Sequence, residues 1–452
     1  MNKKKKDTLI TGFALFAIFL GAGNLIFPPT LGHIAGTKWA SSMAGFMLTG
    51  VGLPVLGIIA AAKAGGRTID VFKHLGPKAA NIMTFIIILA IGPLLAIPRT
   101  AAVTYEIGVK PVFGISPVIS AVIFFAIVLY FTLNAMSVVD KVGSLLTPIL
   151  IVVLAILIIV GITNPIGRPI DTGNTKNFLR GFEEGYQTMD GIGSLVLATI
   201  IIQSIAQKGY EKRKDQVRMT CISGFIAALG LFCVYGGFIY LGATSSGVLP
   251  KDLSRAELVI ELVNGILGSW GGVILGLAIS LACITTAVGL TATAGNFFAA
   301  VFNNKVSYKS IVWITCAFSA FFAINGVDTL IAFAVPILTV IYPVTIVLIV
   351  MSLADDLIKH KSAYRGACLG AFVMSLIQNI LNAEDSINRF LETIRVSPFF
   401  ANITPERVNF DTPISIIESL PLASQGFGWI IPAIVLGVAF AIYEARKSKK
   451  VL

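Results

Sequence analysis

Few residues in this chain combine a reactive side chain with an apolar setting, and they gather at two places. Asn24 closes the run Gly21-Ala22-Gly23-Asn24, and Asp190 stands in Met189-Asp190-Gly191-Ile192-Gly193-Ser194. Each run interrupts a hydrophobic stretch, residues 13–27 in the first case and the stretch around 196–202 in the second, and Pro28-Pro29 follow the first. Glycines beside a small polar side chain open an apolar helix. The N–H groups set free lie at the positive end of a half-helix dipole and suit a carboxylate. The carbonyls set free just before the first break, from Ala17 to Leu20, suit a cation. Hydrocarbon penalises each unpaired backbone group by several kcal/mol, so a break of this kind is expected only where it lines a cavity. Two of them in corresponding positions of two halves point to the binding site of a transporter.

Asp190, Arg99 and a pair of threonines each have more than one reading. Asp190 could pair with Arg99, gate an outer vestibule, face a substrate ammonium, or cap the helix that it begins; acids at membrane depth are expensive and usually functional. Arg99, after Pro93 and Pro98, could serve the site or the gate, or could snorkel outward as a structural residue. In Ala282-Cys283-Ile284-Thr285-Thr286, the adjacent threonines could bond back to helix carbonyls, or could point together with the Ala282 carbonyl at a hard cation, which prefers oxygen ligands. The glycines of the breaks could also be packing residues, since small side chains let membrane helices approach closely. If they serve a site instead, no Cβ should be tolerated at Gly21, Gly23, Gly191 or Gly193, whereas Gly50 and Gly52 should be scaffold.

The elements that must position these residues are membrane helices. The chain is 56% hydrophobic and 13% charged, which places it in a bilayer. About twelve apolar spans of roughly 20 residues can be marked, near 8–32, 40–62, 79–106, 117–135, 142–162, 179–206, 217–243, 268–302, 307–325, 328–353, 363–383 and 428–444. The first is not read as a cleaved signal peptide, because its apolar region is too long and Pro28-Pro29 stand where small residues would be cut. The net charge of +11 could suggest nucleic acid, but its distribution argues otherwise. With the N-terminus inside, 23 of the 34 Lys and Arg fall in cytoplasmic segments, including 3–6, 208–218 and 446–450. That asymmetry is the positive-inside rule for a multi-pass protein of the cell membrane with both termini cytoplasmic. The five cysteines lie in apolar spans without ligand spacing, so neither a disulfide framework nor a metal site is indicated. His33, His74 and His360 read as solvated or interfacial residues. No phosphate-binding glycine loop supports ATP coupling.

Residues 8–162 and 179–353 can be laid over each other as two five-span halves, each opening on its broken helix. An odd number of spans turns the second half over, giving an inverted repeat. Two additional spans, within 363–444, flank an external loop at 384–427.

The segment ITGFALFAIFLGAGNLIFPPTLG at 10–32 resembles the branched-chain amino acid:cation symporters called BrnQ, of the LIVCS family, and QTMDGIGSLVLATIIIQSI with the lysine-rich loop after it resembles them too. The resemblance runs through nearly the whole chain. It implies an all-α integral membrane protein with the LeuT-type five-plus-five inverted repeat and two C-terminal helices. It further implies that Ala22, Gly23 and Asn24, with Met189, Asp190, Gly191, Ile192, Gly193 and Ser194, hold the substrate. Ala17, Leu20, Ala282, Thr285 and Thr286 would hold a sodium ion. One departure stands out: no third-span tyrosine can be matched to the one that often touches the substrate carboxylate, because Thr104 and Tyr105 lie too near the outer end.

The function expected is therefore symport of leucine, isoleucine and valine with Na+, or alternatively H+, without a further cofactor; oligomeric state is left open. An intramembrane enzyme would need a nucleophile and base, or a carboxylate and histidine, at mid-membrane depth, and only Asp190 is on offer there. A passive channel would want rings of charge or carbonyls in an oligomer.

Overall fold

The computed structural model describes residues 3–134, 136–383, 421–423 and 426–449, with the backbone alone for 22, 23, 136–147 and 449. The expected external loop, 384–427, lies almost wholly outside the described residues. Every regular element among those described is helical.

The first span is interrupted where expected. Helix α1 (Lys3–Phe19) stops, Gly21 adopts an extended conformation with φ −62° and ψ 135°, and a 3-10 turn (Ala22–Ile26) leads into α2 (Phe27–Ala35). Pro28 and Pro29 sit in the first turn of α2, where a missing N–H leaves no helical bond unmade. The second span is α3 (Trp39–Phe46) and α4 (Leu53–Ala64), with a π-helical stretch (Met47–Gly52) between them. The third is α5 (Pro77–Leu89) and α6 (Ala96–Val103), and here the structure adds a break. Gly92 lies at φ −99° and ψ −121°, outside helical geometry, and Pro93 beside it has no N–H to give.

Helices α7 (Pro117–Asn134) and α8 (Met136–Thr163) fill the fourth and fifth spans. The second break separates α9 (Asn177–Tyr186) from α10 (Asp190–Gln207), so the chain is open at 187–189. Gly191 to Ser194, expected to be open, instead lie in the first turns of α10, with the Gly193 amide donating to the Met189 carbonyl at 2.8 Å. Met189 turns the chain there in the left-handed region, at φ 59° and ψ 4°, which a non-glycine residue seldom occupies. Then come α11 (Arg213–Ser245), α12 (Arg255–Leu267), α13 (Ser269–Val301), α14 (Tyr308–Ala323), α15 (Val327–Leu353), α16 (Ser362–Asn382) and α17 (Ile430–Lys449). The stretch 244–267 lies between the expected spans 217–243 and 268–302. Within it α12 is a helix that opens on a capping box, with Ser254 and Glu257 bonding each other's backbone amides.

Seven helical stretches among the described residues are long and apolar enough to cross a membrane, and Pro148–Thr163 and Tyr308–Ala323 are shorter apolar helices. The stretch Asn24–Ala64 has 41 residues, about 60 Å at 1.5 Å per residue against a hydrocarbon core of about 30 Å. It turns at Gly36, where φ is 53°, and so joins parts of two expected spans.

The described chain forms two compact units. In the first, Met1–Val71 with Lys78–Val335, α1 and α2 run along α11, while α9 lies on α3 and α10 on α4. Reciprocal glycines set the closest approaches. A Cβ on Gly32 would run into the Ile239 carbonyl and one on Gly242 into the Pro29 carbonyl; Gly45 and Gly181 stand in the same way against Phe178 and Ser42. His33 is buried there, its Nδ1 2.8 Å from Ser245 Oγ, rather than solvated.

In the second unit, Phe72–Pro77 with Pro336–Leu452, α16 and α17 meet at Gly366 and Gly370, each against a carbonyl of α17. Asp355 gathers Lys361 Nζ at 2.6 Å, the Tyr364 hydroxyl at 2.8 Å and His74 Nε2 at 3.2 Å. Burial works against its charge, but the Lys361 and Tyr364 hydrogen bonds outweigh that and hold the carboxyl below its ordinary value.

Candidate functional site

The two predicted breaks meet. Asn24, 3% exposed, donates from Nδ2 to Asp190 Oδ2 at 2.6 Å, joining residues 166 apart in the sequence. The same nitrogen lies 3.1 Å from the Phe19 carbonyl and 3.3 Å from the Tyr235 hydroxyl of α11. Tyr235 in turn donates to the Phe19 carbonyl at 3.1 Å. One of the carbonyls released by the first break is thus already engaged by two side chains. Leu20, beside it, keeps a helical bond from its N–H to the Phe16 carbonyl at 2.8 Å.

Asp190 begins α10, yet its carboxylate reaches across to the first break. Its own amide donates to Thr188 Oγ1 at 3.3 Å, and Thr188 donates to the Gly185 carbonyl at 2.9 Å. Ser194 turns inward on its helix, donating to the Gly191 carbonyl at 2.7 Å. Met189 and Ile192 are buried.

Arg99 does not snorkel outward: it is 5% exposed. Its Nη1 donates to the Gln187 carbonyl in the second break, and its guanidinium carbon lies 5.2 Å from the centre of the Phe27 ring. Phe27 faces a second cation, Arg255 of α12, at 5.9 Å. Arg255 also bonds Glu184 of α9 at 2.7 Å and Asp328 of α15 at 3.4 Å. One residue of α12 therefore contacts both broken helices and the start of α15.

Thr285 and Thr286 of α13 both donate to the Ala282 carbonyl at 2.9 Å, the back-bonded arrangement that adjacent threonines favour. All three residues are half-buried, as is Ala17, while Leu20 is buried. Helix α13 packs on the 3-10 turn of the first break.

Gly21 and Gly193 have room beside them. At Gly21 a Cβ would meet nothing closer than Asn24 Nδ2 at 3.7 Å, an ordinary contact, and at Gly193 it would meet no atom within 4 Å. Gly50, expected to be tolerant scaffold, would bring a Cβ to 2.9 Å from Phe46 Cε1. The tight glycines are those where helices touch, and Gly193, in the first turn of α10, borders a hollow.

Nothing in the sequence marks Tyr235, Phe27, Arg255 or Glu184 as part of the site. A tyrosine or phenylalanine within an apolar span reads as packing or as an interfacial anchor. A charged residue in a connecting segment reads as solvated.

Residues 4–447 match a family model described as "Branched-chain amino acid transport protein". The branched-chain amino acid permease BraB of Bacillus subtilis is 37% identical over 439 residues, covering 95% of this chain and 94% of that protein. The branched-chain amino acid transport system 2 carrier protein of Pseudomonas aeruginosa is 37% identical over 441 residues, covering 96% and 95%. Among solved structures, that of MhsT in complex with L-phenylalanine aligns with a TM-score of 0.56 at 17% identity, over 82% of this chain and 96% of that one. That likeness shows the fold, the LeuT-type all-helical transporter architecture.

Proposed function

The chain belongs to the branched-chain amino acid transport protein family and is a multi-pass membrane protein, and from that premise we propose that it imports leucine, isoleucine and valine by symport with a cation, Na+ ahead of H+. The observation that carries this reading is the 2.6 Å bond from Asn24 to Asp190, which ties two opened helices together. Backbone N–H groups of the first break, at Ala22 and Gly23, receive the substrate carboxylate beside Asn24, whose own amide donates to the Gly21 carbonyl at 2.8 Å. The Asp190 carboxylate and the Thr188 carbonyl receive its ammonium, the Gln187 carbonyl being held by Arg99 and the Met189 carbonyl by the Gly193 amide. Ile192, Leu195 and Phe19, all buried, border the aliphatic side chain. Arg99 and Asp190 belong to the gate as well as the site.

In this proposal 8–162 and 179–353 are the inverted repeats. The packing supports them: the first broken helix lies on α11, the second span of the second half, and the second broken helix lies on α3 and α4, the second span of the first. Both termini are cytoplasmic in the same scheme, and alternating access moves the site between the two faces.

Uptake of labelled leucine into vesicles under an imposed Na+ or H+ gradient tests transport and coupling together. Uptake that follows neither gradient counts against symport, and uptake that follows H+ alone makes the proton the coupling ion. In the Na+ reading, Thr285→Val or Thr286→Val keeps shape but removes one oxygen. With about 1.5–3 kcal/mol lost for one oxygen contact to a charged group, the Na+ concentration giving half-maximal uptake should rise at least about tenfold with unchanged amounts of protein. Unaltered ion dependence in both variants would remove these threonines from the cation site.

The pocket also predicts who competes. One methylene changes binding in an apolar pocket by about 1–3 kcal/mol, so isoleucine and valine should displace leucine at modest excess. Lysine and aspartate would bury an unpaired charge and should not compete at a hundredfold excess. Competition by lysine as strong as that by isoleucine would contradict an apolar pocket.

A further inference from the structure

Asn24 has two N–H protons on Nδ2 and three acceptors within reach: Asp190 Oδ2 at 2.6 Å, the Phe19 carbonyl at 3.1 Å and the Tyr235 hydroxyl at 3.3 Å. Two protons cannot serve three acceptors fully, so the carboxamide is shared, and its direction depends on all of them. Turning it over would set its oxygen against the carboxylate oxygen of Asp190 and the Phe19 carbonyl, neither of which can donate while Asp190 is ionised. Only Tyr235 has a proton of its own, and it gives that proton to the Phe19 carbonyl at 3.1 Å. The tyrosine hydroxyl therefore acts on both ends of the first break, fixing the last carbonyl of α1 and accepting from the residue that reaches Asp190.

The ring is held firmly. Tyr235 is fully buried and meets Phe46 edge to face, with ring centres 5.5 Å apart and planes at 88°. Phe46 ends α3, the helix on which the outer half of the second break lies. From this geometry we infer that Tyr235 is a positioning residue of the substrate site, acting by orienting the Asn24 carboxamide toward Asp190. The inference rests on the symporter reading above.

Tyr235→Phe removes one oxygen and leaves the ring in place. With the full chain in vesicles and in detergent, four proteins are compared: wild type, Tyr235→Phe, Asn24→Ala and the double variant. Tyr235→Phe should raise both the KM for leucine uptake and the Kd for leucine about tenfold, with Vmax and the unfolding temperature without leucine close to wild type. In the Asn24→Ala background the same change should alter leucine affinity less than twofold, because the group it orients is gone. Wild-type affinity in Tyr235→Phe, or effects that multiply in the double variant, would overturn the inference and leave the symporter reading standing. Failure of the wild type itself to bind leucine would overturn the symporter reading and this inference with it.

Discussion

Asp190→Asn is expected to lower leucine uptake at least thirtyfold, roughly, while the amount of protein in the membrane stays the same. The carboxylate accepts from Asn24 at 2.6 Å and, in the proposed site, from the substrate ammonium. Asparagine nearly matches its shape but carries no charge, and it brings an NH2 group where only acceptors fit. A hydrogen bond to a charged group contributes about 1.5–3 kcal/mol, and an ammonium left unpaired in a buried site adds further cost, so a loss of about 2–3 kcal/mol is reasonable. At about 1.4 kcal/mol per factor of ten this is roughly 30- to 150-fold. Asp190→Glu keeps the charge, but its extra methylene drives the carboxylate into Asn24, so an intermediate loss is expected. Initial rates of labelled leucine uptake, with leucine-induced thermal stabilisation of purified protein as a second readout, measure both variants. Uptake by Asp190→Asn within threefold of wild type would remove the ammonium-binding role and leave Asp190 as a tie between helices.

Filling the hollow beside Gly193 should have an effect of similar size by another route. Gly193 is buried, yet a Cβ there would meet no atom within 4 Å. It lies three residues after Asp190 on α10, hence on the same face of the helix. Gly193→Ala should therefore fold without a clash, and the longer side chain of Gly193→Leu should extend into the space assigned to the aliphatic side chain of the substrate. Each misplaced methylene costs about 1–3 kcal/mol, so leucine uptake should fall more than about fiftyfold. Gly193→Ala should stay within about threefold of wild type, and Gly193→Val should penalise leucine more than valine. A graded series with Ala, Val and Leu, assayed for uptake of both substrates, checks the size dependence. Leucine transport undiminished in Gly193→Leu would move the substrate away from this face of α10.

Much of this arrangement is legible in the letters, and the reason is the solvent. Hydrocarbon leaves a backbone little choice but to be helical, so apolar runs mark the spans, and Gly21-Ala22-Gly23-Asn24 and Met189 to Ser194 mark departures that need a purpose. Both departures are present, with Gly21 extended and Met189 left-handed. The third break, at Gly92 and Pro93, was not legible, because glycine and proline also occur in intact membrane helices, where neighbouring groups satisfy the freed backbone. Here Ser319 of α14 donates to the Pro93 carbonyl at 3.2 Å, a partner more than two hundred residues away. The glycines divide in the same way. Gly21, Gly32 and Gly193 are the same letter in similar surroundings, but only Gly32 is pressed against another backbone. Which glycine borders a hollow and which seats a helix depends on the neighbour that arrives opposite it. The sequence alone determined where most of the membrane helices lie and where two of them open, since those follow from local contact with lipid. That Asp190 faces Asn24, that Arg99 turns inward to residue 187, and that Tyr235 stands over the first break were decided only by tertiary packing. Those partners lie on different helices, and helix rotation and crossing are set by side chains far apart in the chain.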